Sequence, residues 1–92
     1  MEENDPITVD ISQYPLEDQY LERIDDFLER LHARPGIKVV TQRLSTQVYG
    51  PGPQVFAALQ EEILRSFEGG QCPFVLKILK GDLSDYPLKD YQ

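Results

Sequence analysis

Cysteine and histidine occur once each in this 92-residue chain, and tryptophan not at all. A single cysteine, Cys72, excludes an intramolecular disulfide. It lies in Gly69-Gly70-Gln71-Cys72-Pro73 with no histidine close in sequence to lower its pKa, so it reads as structural or incidental rather than nucleophilic. With His32 as the one imidazole, Ser-His-Asp, Cys-His and paired-metal arrangements lack their parts. Positive charge is scarce too: nine basic residues stand against sixteen acidic ones, a net charge of -7. That balance repels phosphate backbones and disfavours nucleic acid and anionic membranes as partners. It mildly favours cationic ligands, although most acidic surfaces serve solubility alone. No apolar run approaches membrane-spanning length, and the acidic start Met1-Glu2-Glu3-Asn4-Asp5 is unlike a signal peptide, so a cytoplasmic protein is expected.

What is present is a regular alternation of patterns over one domain's length, with a core expected over 7–81 between a polar arm and a tail. Ile7-Thr8-Val9-Asp10-Ile11-Ser12 alternates with the period of a half-buried strand, which Pro15 ends. From Leu16 to His32 the period is helical, with Tyr20, Leu21, Ile24, Phe27, Leu28 and Leu31 on one face. Glu22, Arg23, Asp25, Asp26, Glu29 and Arg30 fall opposite, and Glu17 and Asp18 suit the helix start. Pro35-Gly36 stops that helix. Ile37–Arg43 and Thr46–Gly50 read as a hairpin closed over about two residues, Leu44 and Ser45. Pro51-Gly52-Pro53 introduces a second helix with the stripe Val55, Phe56, Leu59, Ile63, Leu64 and Phe67, and Phe74–Leu79 is the last strand. The tail from Asp82 to Gln92 has no clear period.

The order β-α-β-β-α-β with right-handed crossovers gives an α+β ferredoxin-like sandwich, a four-stranded antiparallel sheet in order 4-1-3-2 with both helices on one face. That fold hosts many functions, so function must come from sites. Alternation assigns Ile7, Val9, Ile11, Ile37, Val39, Val48, Phe74, Leu76 and Ile78 to the helix-covered face. The open face then collects Thr8, Asp10, Ser12, Lys38, Val40, Gln42, Gln47, Tyr49, Val75, Lys77 and Leu79. Val40, Tyr49, Val75 and Leu79 form an apolar patch there, the mark of an interaction surface.

Within this frame Leu44-Ser45-Thr46-Gln47-Val48-Tyr49-Gly50 is unusually rich in uncharged hydrogen-bonding groups, which suits a neutral or weakly cationic small molecule. Together with Asp10-Ile11-Ser12-Gln13-Tyr14-Pro15-Leu16 and Phe74-Val75-Leu76-Lys77-Ile78, it resembles the YkoF-like thiamine/hydroxymethylpyrimidine-binding family. The likeness spans Ile7 to Gly81. It implies non-catalytic binding of thiamine or its pyrimidine precursor in vitamin uptake or salvage, with no further cofactor. Members carry tandem repeats or single repeats that oligomerise, so a homodimer or homotetramer is expected of this one-repeat chain.

The chemistry of those strands nominates Asp10, Ser12, Tyr14, Ser45, Thr46, Gln47 and Tyr49 as ligand-binding residues. Ser12, Ser45, Thr46 and Gln47 supply donors and acceptors for an aminopyrimidine, and Asp10 suits an exocyclic amine or a thiazolium. Tyr49 and Tyr14 offer ring faces. Each has a plainer role open to it: Asp10 pairing with Lys77, Ser45 shaping a turn, Thr46 filling a strand, Tyr14 packing at a strand end. A phosphate ester would want a cation, which Arg43 or Lys77 could supply; the spacing does not decide.

Catalysis is not expected. Acylphosphatases share the fold but need an arginine and a phosphate-cradling loop near the first strand, whereas no arginine precedes Arg23 and no glycine follows in Gln13-Tyr14-Pro15. The Cys-x-x-Cys of a metal carrier is absent, and RNA binding would want basic residues and exposed aromatics on the sheet. The rival is a structural or regulatory oligomerisation module without a small ligand.

Overall fold

The structure, a computed structural model, describes residues 5–84. Six elements follow in order: β1 (Pro6–Gln13), α1 (Tyr20–His32), β2 (Lys38–Thr41), β3 (Thr46–Pro51), α2 (Gly52–Phe67) and β4 (Phe74–Lys80). The sheet runs β2-β3-β1-β4 with every pair antiparallel, which is the ferredoxin-like order expected from the sequence. Ile7, Val9, Ile11, Val48, Phe27, Leu31, Val55 and Leu59 form the core between sheet and helices. Residues that alternate with a period of two therefore meet residues spaced three and four apart.

Several boundaries move for local reasons. α1 begins at Tyr20 rather than Leu16, because the amides of Tyr14 and Leu16 donate to the carbonyls of Pro73 and Gln71 and hold that stretch extended. Glu17 and Asp18 consequently precede the helix, and Glu22 is the acidic residue in its first turn. β2 ends at Thr41 because the Gln42 amide donates to the Ser45 carbonyl, so Gln42–Ser45 forms the turn. Gly36 turns the chain from α1 into β2 with φ +82°, a conformation a side chain would strain.

The helical stripes are narrower than their periodicity suggests. Tyr20 and Leu21 on α1 and Phe56, Leu64 and Phe67 on α2 are exposed. The buried stripe of α2 is instead Val55, Ala58, Leu59, Glu62 and Ser66, rotated toward α1 because arginines on α1 claim the polar members. Arg30 donates to Glu62 Oε1 at 2.7 Å and to Ser66 Oγ at 2.8 Å. Arg23 donates to the carbonyls of Ser66, Gly69 and Gly70, completing the C-terminal end of α2. Arg23 and Arg30 thus face the second helix instead of solvent. Ile78, expected beneath the helices, is 52% exposed because the helices lie chiefly over β1, β2 and β3 and β4 is an edge strand.

Beyond β4, Gly81 adopts φ +98° and its amide donates to Pro6 O. The chain then passes over Thr8, which donates to Gly81 O and accepts from the Leu83 amide. Thr8, expected to be open, is consequently 5% exposed. The greater part of the C-terminal tail lies outside the described residues.

Candidate small-molecule site

Register sets which side chains can meet. Asp10 pairs with Gln47 on one side and Lys77 on the other, and Thr8 pairs with Tyr49 and Leu79. Val40 and Lys38 face Gln47 and Tyr49 from β2. Since strand alternation puts directly paired residues on one face, Val40, Gln47, Asp10 and Lys77 form a row across the open face.

At its centre is a hydrogen-bonded triangle. Asp10 Oδ1 accepts from Ser45 Oγ at 2.7 Å and from Gln47 Nε2 at 2.7 Å, and Gln47 Nε2 also donates to Ser45 Oγ at 2.9 Å. Asp10 forms no ion pair with Lys77 among the described residues. The Ser45 hydroxyl draws the Asp10 pKa below its ordinary value; burial opposes this, and the Gln47 bond and the Lys77 charge assist it. Asp10 is therefore an anion at neutral pH.

The triangle leaves two acceptors over. Gln47 Oε1 is buried with no hydrogen-bond partner among the described residues, and Asp10 Oδ2 accepts no hydrogen bond from them. The amide orientation follows from Asp10, because Nε2 must point to the carboxylate and so aims Oε1 away. A buried unmet acceptor costs about 1–3 kcal/mol, which an incoming N–H recovers.

The other nominated residues fall around this centre. Tyr49 lies on the same face, with the Lys38 ammonium 5.9 Å from its ring centroid, a cation already drawn to that ring. Ser12 donates to Leu44 O at 3.3 Å and borders a cavity at the hairpin end of the sheet. Thr46 turns to the helix side, 4% exposed, and its hydroxyl meets that of Thr41 at 3.2 Å, so it lines the cavity and not the open face. Tyr14 has left the sheet and is 54% exposed beside Pro73, with no side-chain hydrogen bond to the triangle. The structure thus joins Asp10, Ser45 and Gln47 directly and sets Tyr49 and Ser12 beside them. It separates Thr46 and Tyr14 from them.

The cavity holds about 150 Å³ between α1 and the β2–β3 turn, with Ile24, Phe27 and Leu28 on one side and Thr41 to Thr46 on the other. Its α1 wall was legible only as core periodicity. The signal that could have found it is the turn Gln42-Arg43-Leu44-Ser45, which has no glycine and leaves Leu44 91% exposed. Cys72 is buried, and that burial pushes its thiol pKa up, as suits a packing residue. Among the described residues no group of three or more His, Cys, Asp and Glu side chains is placed to hold a metal ion, and no helix is long and apolar enough to cross a membrane.

No family model and no curated protein matches the chain. Solved structures do. A Thermotoga maritima protein described as a "putative thiamine biosynthesis/salvage protein" superposes with a TM-score of 0.71 at 21% identity, over 80% of this chain and 82% of that one. A Streptococcus pneumoniae protein gives 0.77 at 15% identity, covering 88% of this chain and 92% of its own. A domain of unknown function, DUF77, from Bacillus cereus gives 0.74 at 13% identity over 89% and 86%. At such identities the likeness establishes a shared α+β fold.

Proposed function

We propose that this protein binds thiamine or its hydroxymethylpyrimidine precursor without transforming it, in uptake or salvage of the vitamin. The observation that carries the reading is the orphaned acceptor Gln47 Oε1 beside the ionised Asp10 carboxylate, whose Oδ2 accepts no hydrogen bond from the described residues. An exocyclic amine brings two N–H donors, and a thiazolium brings a positive charge; the triangle complements both. Tyr49 offers a ring face that already attracts a cation. The Thermotoga structure, described in terms of thiamine, shares the fold and lends the reading support. The resemblance of the Ser-Thr-Gln and Tyr-Pro-Leu segments points the same way.

The same face favours assembly. Val75 and Leu79 are 55% and 44% exposed on the flank of the polar row, and Val40 lies at its other end. Burying such side chains contributes roughly 1.5–3 kcal/mol each before the cost of association. A second copy over this flank makes the protein a homodimer or homotetramer, with the ligand near the interface. A pure oligomerisation module would need the same apolar flank but not the unmet acceptors.

Calorimetry and thermal denaturation with hydroxymethylpyrimidine and thiamine separate the two. Heat of binding and a raised melting temperature are expected with at least one compound. Neither effect at millimolar concentration would refute ligand binding and leave the oligomerisation module. Light scattering should report an oligomer that Val75→Asp weakens, and a monomer at micromolar concentration would refute the assembly.

A further inference from the structure

Four of the five arginines are engaged within the chain: Arg23 with Glu17 and the end of α2, Arg30 with Asp26 and Glu62, Arg34 with Glu61 and Glu62, and Arg65 with Glu62 at 3.9 Å. Arg43 alone has no hydrogen bond or ion pair among the described residues. It sits in the β2–β3 turn on the lining of the 150 Å³ cavity, where the opposite wall is the apolar Ile24, Phe27 and Leu28. The amides of Arg43 and Leu44 in the same turn also donate to no acceptor among the described residues.

We propose that this cavity is a second feature of ligand recognition: it takes a small planar ring bearing a phosphate monoester, with Arg43 as the counter-ion of the phosphate. A cavity of this size holds a ring about as large as benzene. Three apolar side chains give that ring a dry wall. A guanidinium presents a planar fork that matches phosphate oxygens two at a time, and turn amides add donors suited to the same anion. Ser45 lies between the two features, lining the cavity while donating to Asp10. The cavity reading stands on Arg43 and the apolar wall and does not need Asp10 to hold a ligand.

The test titrates phenyl phosphate, with benzyl alcohol as the uncharged control, into the full chain while amide NMR shifts are followed. Shifts confined to Thr41–Thr46 and the facing turns of α1 are expected with phenyl phosphate, at least tenfold weaker with benzyl alcohol and with Arg43→Gln. Equal binding by Arg43→Gln, or shifts elsewhere or none at millimolar concentration, would overturn the proposal. Hydroxymethylpyrimidine and its phosphate ester form the second arm. Phenyl phosphate binding without either pyrimidine binding would refute the vitamin reading and keep the phosphate site. A pyrimidine that binds with the same affinity with or without its phosphate would refute the phosphate site and keep the vitamin reading.

Discussion

Two carboxylates, the buried Glu62 in α2 and the half-buried Asp10 in β1, are treated differently by the chain. Glu62 is completed on both oxygens: Oε1 takes Arg30 at 2.7 Å and Oε2 takes Arg34 at 3.2 Å, with the side chain 5% exposed. Asp10 is completed on one: Ser45 and Gln47 both converge on Oδ1, while Oδ2 and the neighbouring Gln47 Oε1 receive nothing from the described residues. A charge that holds two helices together is saturated by its own chain, because an open valence there would cost stability with no return. A half-buried charge with one oxygen uncommitted keeps room for a further donor.

If that contrast holds, the two carboxylates respond to mutation in opposite ways. Glu62→Ala leaves Arg30 and Arg34 without their shared buried partner and should cost about 3 kcal/mol of stability in urea denaturation. Asp10→Asn keeps an acceptor for Ser45 and Gln47 and should cost about 1 kcal/mol or less. Equal losses would erase the distinction between a structural and a binding carboxylate. Tyr49→Ala should weaken the vitamin ligand by about 0.5–1.5 kcal/mol, roughly two- to tenfold in a titration, as stacking on that ring requires. Unchanged affinity would remove Tyr49 from the site.

The smallest expected effect is with pH. Because the Asp10 pKa is lowered on folding, its contribution is fully present above the ordinary carboxylate value and is lost as pH falls through the lower folded one. Affinity for thiamine should therefore be flat between about pH 8 and pH 6.5, above the range in which the ligand's own aminopyrimidine protonates. A decline within that range would assign the binding to another group.

The fold was legible because each strand and helix announced itself by period, and the order of elements left one common topology. Asp10 and Gln47 were legible as residue types on one face, since alternation fixes faces, and Ser45 as a turn residue beside them. Their triangle was not, because it depends on a one-to-one register between β1 and β3 that only pairing supplies. Thr46 shows the converse: its place in a polar run nominated it for the ligand site, while its alternation partner Val48 already put it inside. The exposed Phe56 and Leu64 were misread because helical period marks an apolar arc without saying which part of it meets the core. Arg23 and Arg30 escaped for the same reason: reach across to a second helix leaves no trace in the spacing of the first.

The most direct measurement is calorimetric titration of hydroxymethylpyrimidine and thiamine into the wild-type chain and into Asp10→Asn, with both proteins shown to be folded. Saturable binding by the wild type that weakens about 10- to 100-fold in Asp10→Asn is the predicted result, as the loss of a charged hydrogen bond requires. Equal affinities for the two proteins, or no binding by a folded wild type, would contradict it.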